Sequence, residues 1–200
     1  MNKELSSESF RDDHYLGDEL NSLVGQHIVS VKYILVNGED YEFNEFHSVD
    51  KSILIEFSNG KFLFWNWEEV DFDPEDKRYL PDRYELKLPD HLPHMESYYK
   101  LKVLDVSDTS KWRVLMSSAV QSIEIFTQEY QYTSGYKIEK IVTEFIVRTD
   151  CEVFGVYGVD EPDSKIKGSL HKPSFEINNL WTLVVFDQKM IDEITPIRNG

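Results

Sequence analysis

Asp71-x-Asp73-x-Glu75 puts three carboxylates at positions 1, 3 and 5 of a potential calcium loop, the spacing at which successive oxygens can converge on one hard cation. The rest of the loop does not follow. Position 6, where such a loop turns on glycine, is Asp76; position 12 is Asp82 in place of a bidentate glutamate, and Pro74 and Pro81 stiffen the path. No metal and no other cofactor is expected. The three acids belong to a longer run, Glu68, Glu69, Asp71, Asp73, Glu75 and Asp76, that begins directly behind Trp65 and Trp67. Tryptophans anchor binding hot spots, and acids around them would speed and orient the approach of a Lys- or Arg-rich protein. These eight residues form the candidate partner-binding surface. The bland alternative is a strand that ends in solvent, with one or both tryptophans in the core.

Other constellations are weaker. In "PDRYELK", Asp82, Glu85 and Lys87 resemble the metal-binding signature of a large nuclease superfamily, in which an Asp and a Glu hold Mg²⁺ and a Lys steadies the attacking water. The two residues between Asp82 and Glu85 are too few, and on one strand these two acids would face opposite sides. His91 and His94 flank Pro93, which prevents the helical geometry that would align them on a metal; His14, His27, His47 and His171 are scattered. Cys151, the single cysteine, reads as a half-buried inert thiol at a strand start. Neither a nucleophile elbow, a phosphate loop, a dinucleotide fingerprint nor an H-E-x-x-H motif is present.

Charge supports the binding reading. The chain of 200 residues has a net charge of −16, of which −10 falls between residues 39 and 76. A field so localised attracts a basic protein and repels a phosphodiester backbone, so no nucleic-acid partner is expected. One thiol excludes an internal disulfide, no early apolar segment resembles a leader, and no run approaches 18 apolar residues. The expectation is a cytoplasmic protein with no membrane partner.

The elements that must hold these residues are mostly strands. Leu16, Leu20, Leu23 and Val24, followed by Gly25, predict a short helix over Asp13 to Val24. "IVSVKYILV" and "EDYEFNEF" read as two strands around Asn37-Gly38. The clearest hairpin has Ile53, Ile55 and Phe57 alternating up to Asn59-Gly60, with Phe62 and Phe64 beyond it, and the Asn-Gly pair predicts a type I′ turn. Trp65 and Trp67 share one face of that second strand and Phe64 the other, so something must cover the opposite face. Pro74, Pro81, Pro89 and Pro93 mark a loop-rich connector with a short strand at "YELKL". Beyond Tyr99, "YKLKVLDV", "WRVLM", "AVQSIEIFTQ", "IEKIVTEFIVR", "EVFGVYGV" and "LWTLVVF" read as strands. Asp187 then caps a terminal helix carrying Met190, Ile191 and Ile194.

"IVSVKYI" from Ile28 and "VQSIEIF" from Val120 match in pattern, and each precedes a strand, a polar turn and an aromatic strand. The expected fold class is mainly β or α+β, built from antiparallel hairpins with a short N-terminal and a short C-terminal helix, the pattern admitting two similar β units. The expected units are residues 1–73 (α+β), a connector at 74–97 and a β-rich 98–200, separate or packed as one domain. The leading functional expectation is a non-enzymatic acidic protein-binding module; in its sharpest form it is an immunity-type inhibitor of a basic toxin or nuclease. The alternative is a small-ligand protein or enzyme whose cleft is lined by Trp65, Trp67 and Tyr or Trp residues of the second half, such as Trp112 or Trp181.

Overall fold

The computed structural model describes residues 13–35, 41–42, 46–49, 51–68, 83–91, 101–131, 138–159 and 181–194. In chain order these contain α1 (Asp13–Asn21), β1 (Ile28–Leu35), β2 (Tyr41–Glu42), β3 (Phe46–Val49), β4 (Ser52–Phe57), β5 (Phe62–Glu68), β6 (Arg83–Lys87), β7 (Lys102–Asp105), α2 (Ser110–Met116), β8 (Val120–Gln131), β9 (Ile138–Thr149), β10 (Val153–Val159), β11 (Trp181–Val185) and α3 (Gln188–Ile194). The protein is mostly β, with two antiparallel sheets and short helices. The first sheet runs β6-β5-β4-β1-β7 and the second β2-β3-β11-β10-β9-β8.

Strand alternation explains how both sheets are used. Val31, Tyr33 and Leu35 of β1, Ile53, Ile55 and Phe57 of β4 and Leu63 and Trp65 of β5 point into one shared core. They meet Val49, Phe145, Val147, Phe154, Val156 and Val184 of the second sheet there. The residues between them point the other way: Ile34, Leu54 and Phe64 form a separate cluster on the back of the first sheet. On the back of the second sheet, Ile146, Val153, Tyr157, Leu183 and Val185 pack with Ile191 of α3. Sheets covered on both faces read as nearly continuous apolar runs, which is why β4 is "SILIEF" and β11 "WTLVV".

The β4–β5 hairpin forms as expected, but its turn is of another kind. Phe57 N–H donates to Lys61 O, and Gly60 N–H donates to Phe57 O, leaving a three-residue loop, Ser58 to Gly60. Gly60 takes φ +81°, the left-handed position of a three-residue hairpin loop, where the two-residue type I′ turn would need Asn59 and Gly60 as its whole loop. The loop is held from outside: Asn59 Nδ2 donates to Ser22 O, and Ser58 N–H to His27 O. At the other end of the chain Asp187 caps α3 as expected, its Oδ1 accepting from Met190 N–H at 2.9 Å.

Three expectations are corrected. "WRVLM" is not a strand: it lies in α2, where Trp112 and Leu115, three apart, are buried, while Arg113 and Val114 are exposed. Five nearly continuous apolar residues carry no period, and tertiary burial decides. α1 ends at Asn21 and Val24 is exposed, because the chain turns through Gly25 (φ +80°), whose N–H donates to Val120 O. β1 does not pair with β2 across Asn37-Gly38, which lie outside the described residues. Its neighbours are β4 and β7, while β2 pairs with β3 in the other sheet. The strands of the two sheets also interleave along the chain. β2 and β3 join the second sheet through β3–β11, and β6 from the connector and β7 from beyond it join the first.

The two sheets repeat one another's register. β6-β5-β4-β1 has the order of β11-β10-β9-β8. Ile28 faces Phe57 and Ser30 faces Glu56, with an irregularity at Val29; Val120 faces Thr149 and Ser122 faces Arg148, with an irregularity at Gln121. Val31↔Ile55, Ile53↔Trp65 and Trp65↔Leu86 match Ile123↔Val147, Phe145↔Val156 and Val156↔Val184. The hydrogen bonds around the turns match too. Ser58 N–H donates to His27 O as Asp150 N–H does to Ala119 O, and Gln26 N–H donates to Leu23 O as Ser118 N–H does to Leu115 O. His27 and Ala119, the corresponding residues, bridge one another.

Candidate protein-binding end of the first sheet

The acidic run begins at an anchored place. β5 ends and β6 begins opposite each other: Trp67 faces Tyr84 and Glu68 faces Arg83 in the backbone register. The connection between them, residues 69–82, carries Glu69, Asp71, Asp73, Glu75 and Asp76, and these lie outside the described residues, as does Asp82. Glu68 is thus the one acid of the run placed in a strand.

Trp65 belongs to the core and not to a binding surface. It is 0% exposed, tilted against Phe145 with ring centroids 5.5 Å apart, and its Nε1–H donates to Thr182 Oγ1 at 3.1 Å. A buried indole needs a partner for its N–H, and Thr182, itself buried on β11, supplies it across the sandwich. Phe64, on the opposite face, is buried as well, so the alternation that leaves one ring of a one-sided hairpin exposed does not operate here. Full burial keeps Trp65 from contact with a partner, and of Trp67 the structure gives the strand position.

Trp112, a second ring assigned to a ligand cleft, is also 0% exposed. Its Nε1–H donates to Tyr33 Oη at 2.8 Å, and Tyr33 Oη lies 2.7 Å from His47 Nδ1. Because an indole can only donate, the tyrosine accepts from it and offers its one proton to His47, which places the imidazole proton on Nε2. Phe154 and Phe186 close around this chain edge-on, at 4.8 and 5.2 Å from Trp112. The three residues come from α2, β1 and β3, so one buried chain of hydrogen bonds ties a helix and both sheets together.

Sequence reasoning missed this chain, since His47 has no neighbour in sequence with which to form a motif. It also passed over Glu144, which is 0% exposed in the middle of β9 between Phe126 and Tyr157. A charged residue inside "IVTEFIVR" was the available signal. On the same face the Tyr157 ring lies over Gly155: a Cβ there would stand 2.6 Å from Tyr157 Cε2. That close approach is what the first glycine of "GVYGVD" provides.

Of the remaining candidates, Glu85 and Lys87 stand in β6 opposite Asn66 and Phe64, and His94 lies outside the described residues. Cys151 is exposed in the β9–β10 turn, not half-buried, because Thr149 Oγ1 organises that turn by accepting from Cys151 and Glu152 N–H. Among the described residues no three His, Cys, Asp or Glu side chains group as a metal site, and no helix is long and apolar enough to cross a membrane. Asp105 has its carboxyl held below the usual range, chiefly by hydrogen bonds from Ser107, with a smaller contribution from Lys32. Comparison with protein-family models, with curated proteins and with solved structures gave no match to this chain.

Proposed function

We propose that the chain is a non-enzymatic, acidic protein-binding module of the cytoplasm whose partner is a basic protein, in the sharpest form an immunity-type inhibitor of a basic toxin or nuclease. The observation that carries this reading is the concentration of −10 of the −16 net charge in residues 39–76. Such a field raises the encounter rate with a basic surface. With Trp65 in the core, the surface is Trp67, Glu68, Glu69, Asp71, Asp73, Glu75 and Asp76.

The test is affinity capture from the source cells at low and high salt, followed by titration of the identified partner. Wild-type protein should retain a basic protein at low salt and release it as salt rises. Charge reversal at Glu68, Glu69, Asp71 and Asp73 together should weaken binding about tenfold or more, at a few tenths of a kcal/mol for each charge. An affinity indifferent to both treatments would falsify the electrostatic reading.

We further infer that the two sheets are copies of one helix–strand unit, α1-β1-β4-β5-β6 and α2-β8-β9-β10-β11. Matching strand order, matching irregularities one residue into β1 and β8, and matching turn hydrogen bonds support it.

A further inference from the structure

We propose that the outer edge of β8 accepts an extended segment of a partner protein as an added strand, in the place β7 occupies on β1, with a basic residue of that segment facing Glu124. The proposal rests on the repeated-unit reading and is independent of the acidic run at 68–76. Sheet edges are normally blunted against foreign strands by brevity, charge or proline. Three of the four edges here are: β2 has two residues, β7 has four with Lys102 and Asp105, and β6 has five with Arg83 and Lys87. β8 has twelve, "VQSIEIFTQEYQ", without Pro and with two glutamates, Glu124 and Glu129, as its charges, so length outweighs charge there. Among the described residues it pairs along its length on one side only, with β9.

The other unit shows what fits. On β1, Lys32, Tyr33, Ile34 and Leu35 pair with Asp105, Leu104, Val103 and Lys102 of β7. Aligning Ile28 with Val120 puts Glu124, Ile125, Phe126 and Thr127 in those four places on β8. The apolar character of the middle pair is kept: Ile125 and Phe126 are partly buried, as expected of positions one strand short of full cover. The charge is inverted. Lys32 faces an acid; Glu124 would face a base. One Glu124 oxygen already accepts from Arg148 Nε at 2.9 Å, and the carboxylate remains 44% exposed, open to a second donor.

The experiment uses the full chain and two synthetic heptapeptides of identical composition. One has the sequence of residues 100–106, KLKVLDV; the other has Lys102 and Asp105 exchanged, KLDVLKV. Backbone amide exchange is followed by NMR. In the free chain alternate amides from Ser122 onward should exchange fast. The exchanged peptide should protect them and bind about fivefold tighter than the native-order peptide, the size of one favourable cross-strand charge pair. Glu124→Lys should reverse the preference, and Glu124→Gln should abolish it. Slow exchange of all β8 amides in the free chain would mean that the edge is already occupied and overturns the proposal, leaving the repeated-unit reading intact. Equal protection by both peptides overturns the register and that reading with it. No protection by either overturns strand addition itself.

Discussion

Trp112 of α2 and Tyr33 of β1, with His47, fill with hydrogen-bonding rings the place where one unit's helix meets the other unit's first strand; the counterpart place, α1 against β8, is filled with hydrocarbon. By the shared register Leu20 stands in the place of Trp112 and Ile125 in the place of Tyr33. The backs of the sheets, by contrast, are polar at corresponding points. Ser52 Oγ donates to Asn66 Oδ1 across β4 and β5, and at the corresponding point of the second sheet Glu144 stands beside Tyr157. A common backbone therefore tolerates polar or apolar filling at one position. The polar chain sits where β3 crosses from one unit to the other sheet. Hydrogen bonds fix the angle and register of a crossing that dispersion alone would leave free to slide.

Truncations should separate the common frame from its local filling. Trp112→Ala should cost about 3–5 kcal/mol in a urea melt, the usual loss for a buried indole, and Leu20→Ala about 2–5. Leu23→Ala and Leu115→Ala, which empty corresponding positions, should cost nearly equal amounts within that second range. A twofold disagreement between them would break the equivalence of the units. Tyr33→Phe comes next, at about 1–3 kcal/mol, because it strips a partner from two buried groups and leaves the volume unchanged. Ile125→Val, in the apolar counterpart, should cost about 0.5–1.5 kcal/mol.

The turns provide a finer contrast. Gly60→Ala forces a side chain into a positive φ and should cost about 1 kcal/mol by thermal melting, whereas Asp150→Ala, in the other unit's turn, should be within about 0.5 kcal/mol of wild type. The smallest effect is a pH dependence confined to the first sheet's edge. The folded-state pKa of Asp105 is lowered, so its stabilisation is full above the ordinary carboxylate range and fades as pH falls through the lowered value. The Tm difference between wild type and Asp105→Asn should therefore shrink on acidification. A difference that grows toward low pH would reverse the assigned sign.

The parts of this fold legible in sequence are those decided by neighbours along the chain. Asn59-Gly60 placed the β4–β5 hairpin, and Asp187 placed the start of α3, because a turn and a cap each involve a few consecutive residues. The partners of β1 were not legible: β4 and β7 reach it from across the chain, and alternation does not name a partner. Nor was the fate of Trp65, since pattern separates the two faces of a strand without saying that both are covered. Of the candidate site, sequence gave the charge and its position, and structure the strand ends at Glu68 and Arg83 between which the acids are strung.

β3 has a consequence for how the molecule is made. Its partner is β11, where Val49 faces Thr182 and Phe46 faces Val185, so β3 completes its pairing only once β11, far along the chain, has been made. Until β11 emerges the nascent chain must hold β3 and His47 without their final neighbours, and the long sequence separation adds a slow closing step. A chain stopped short of Trp181 would have its first sheet in hand and its crossing arm still unclasped.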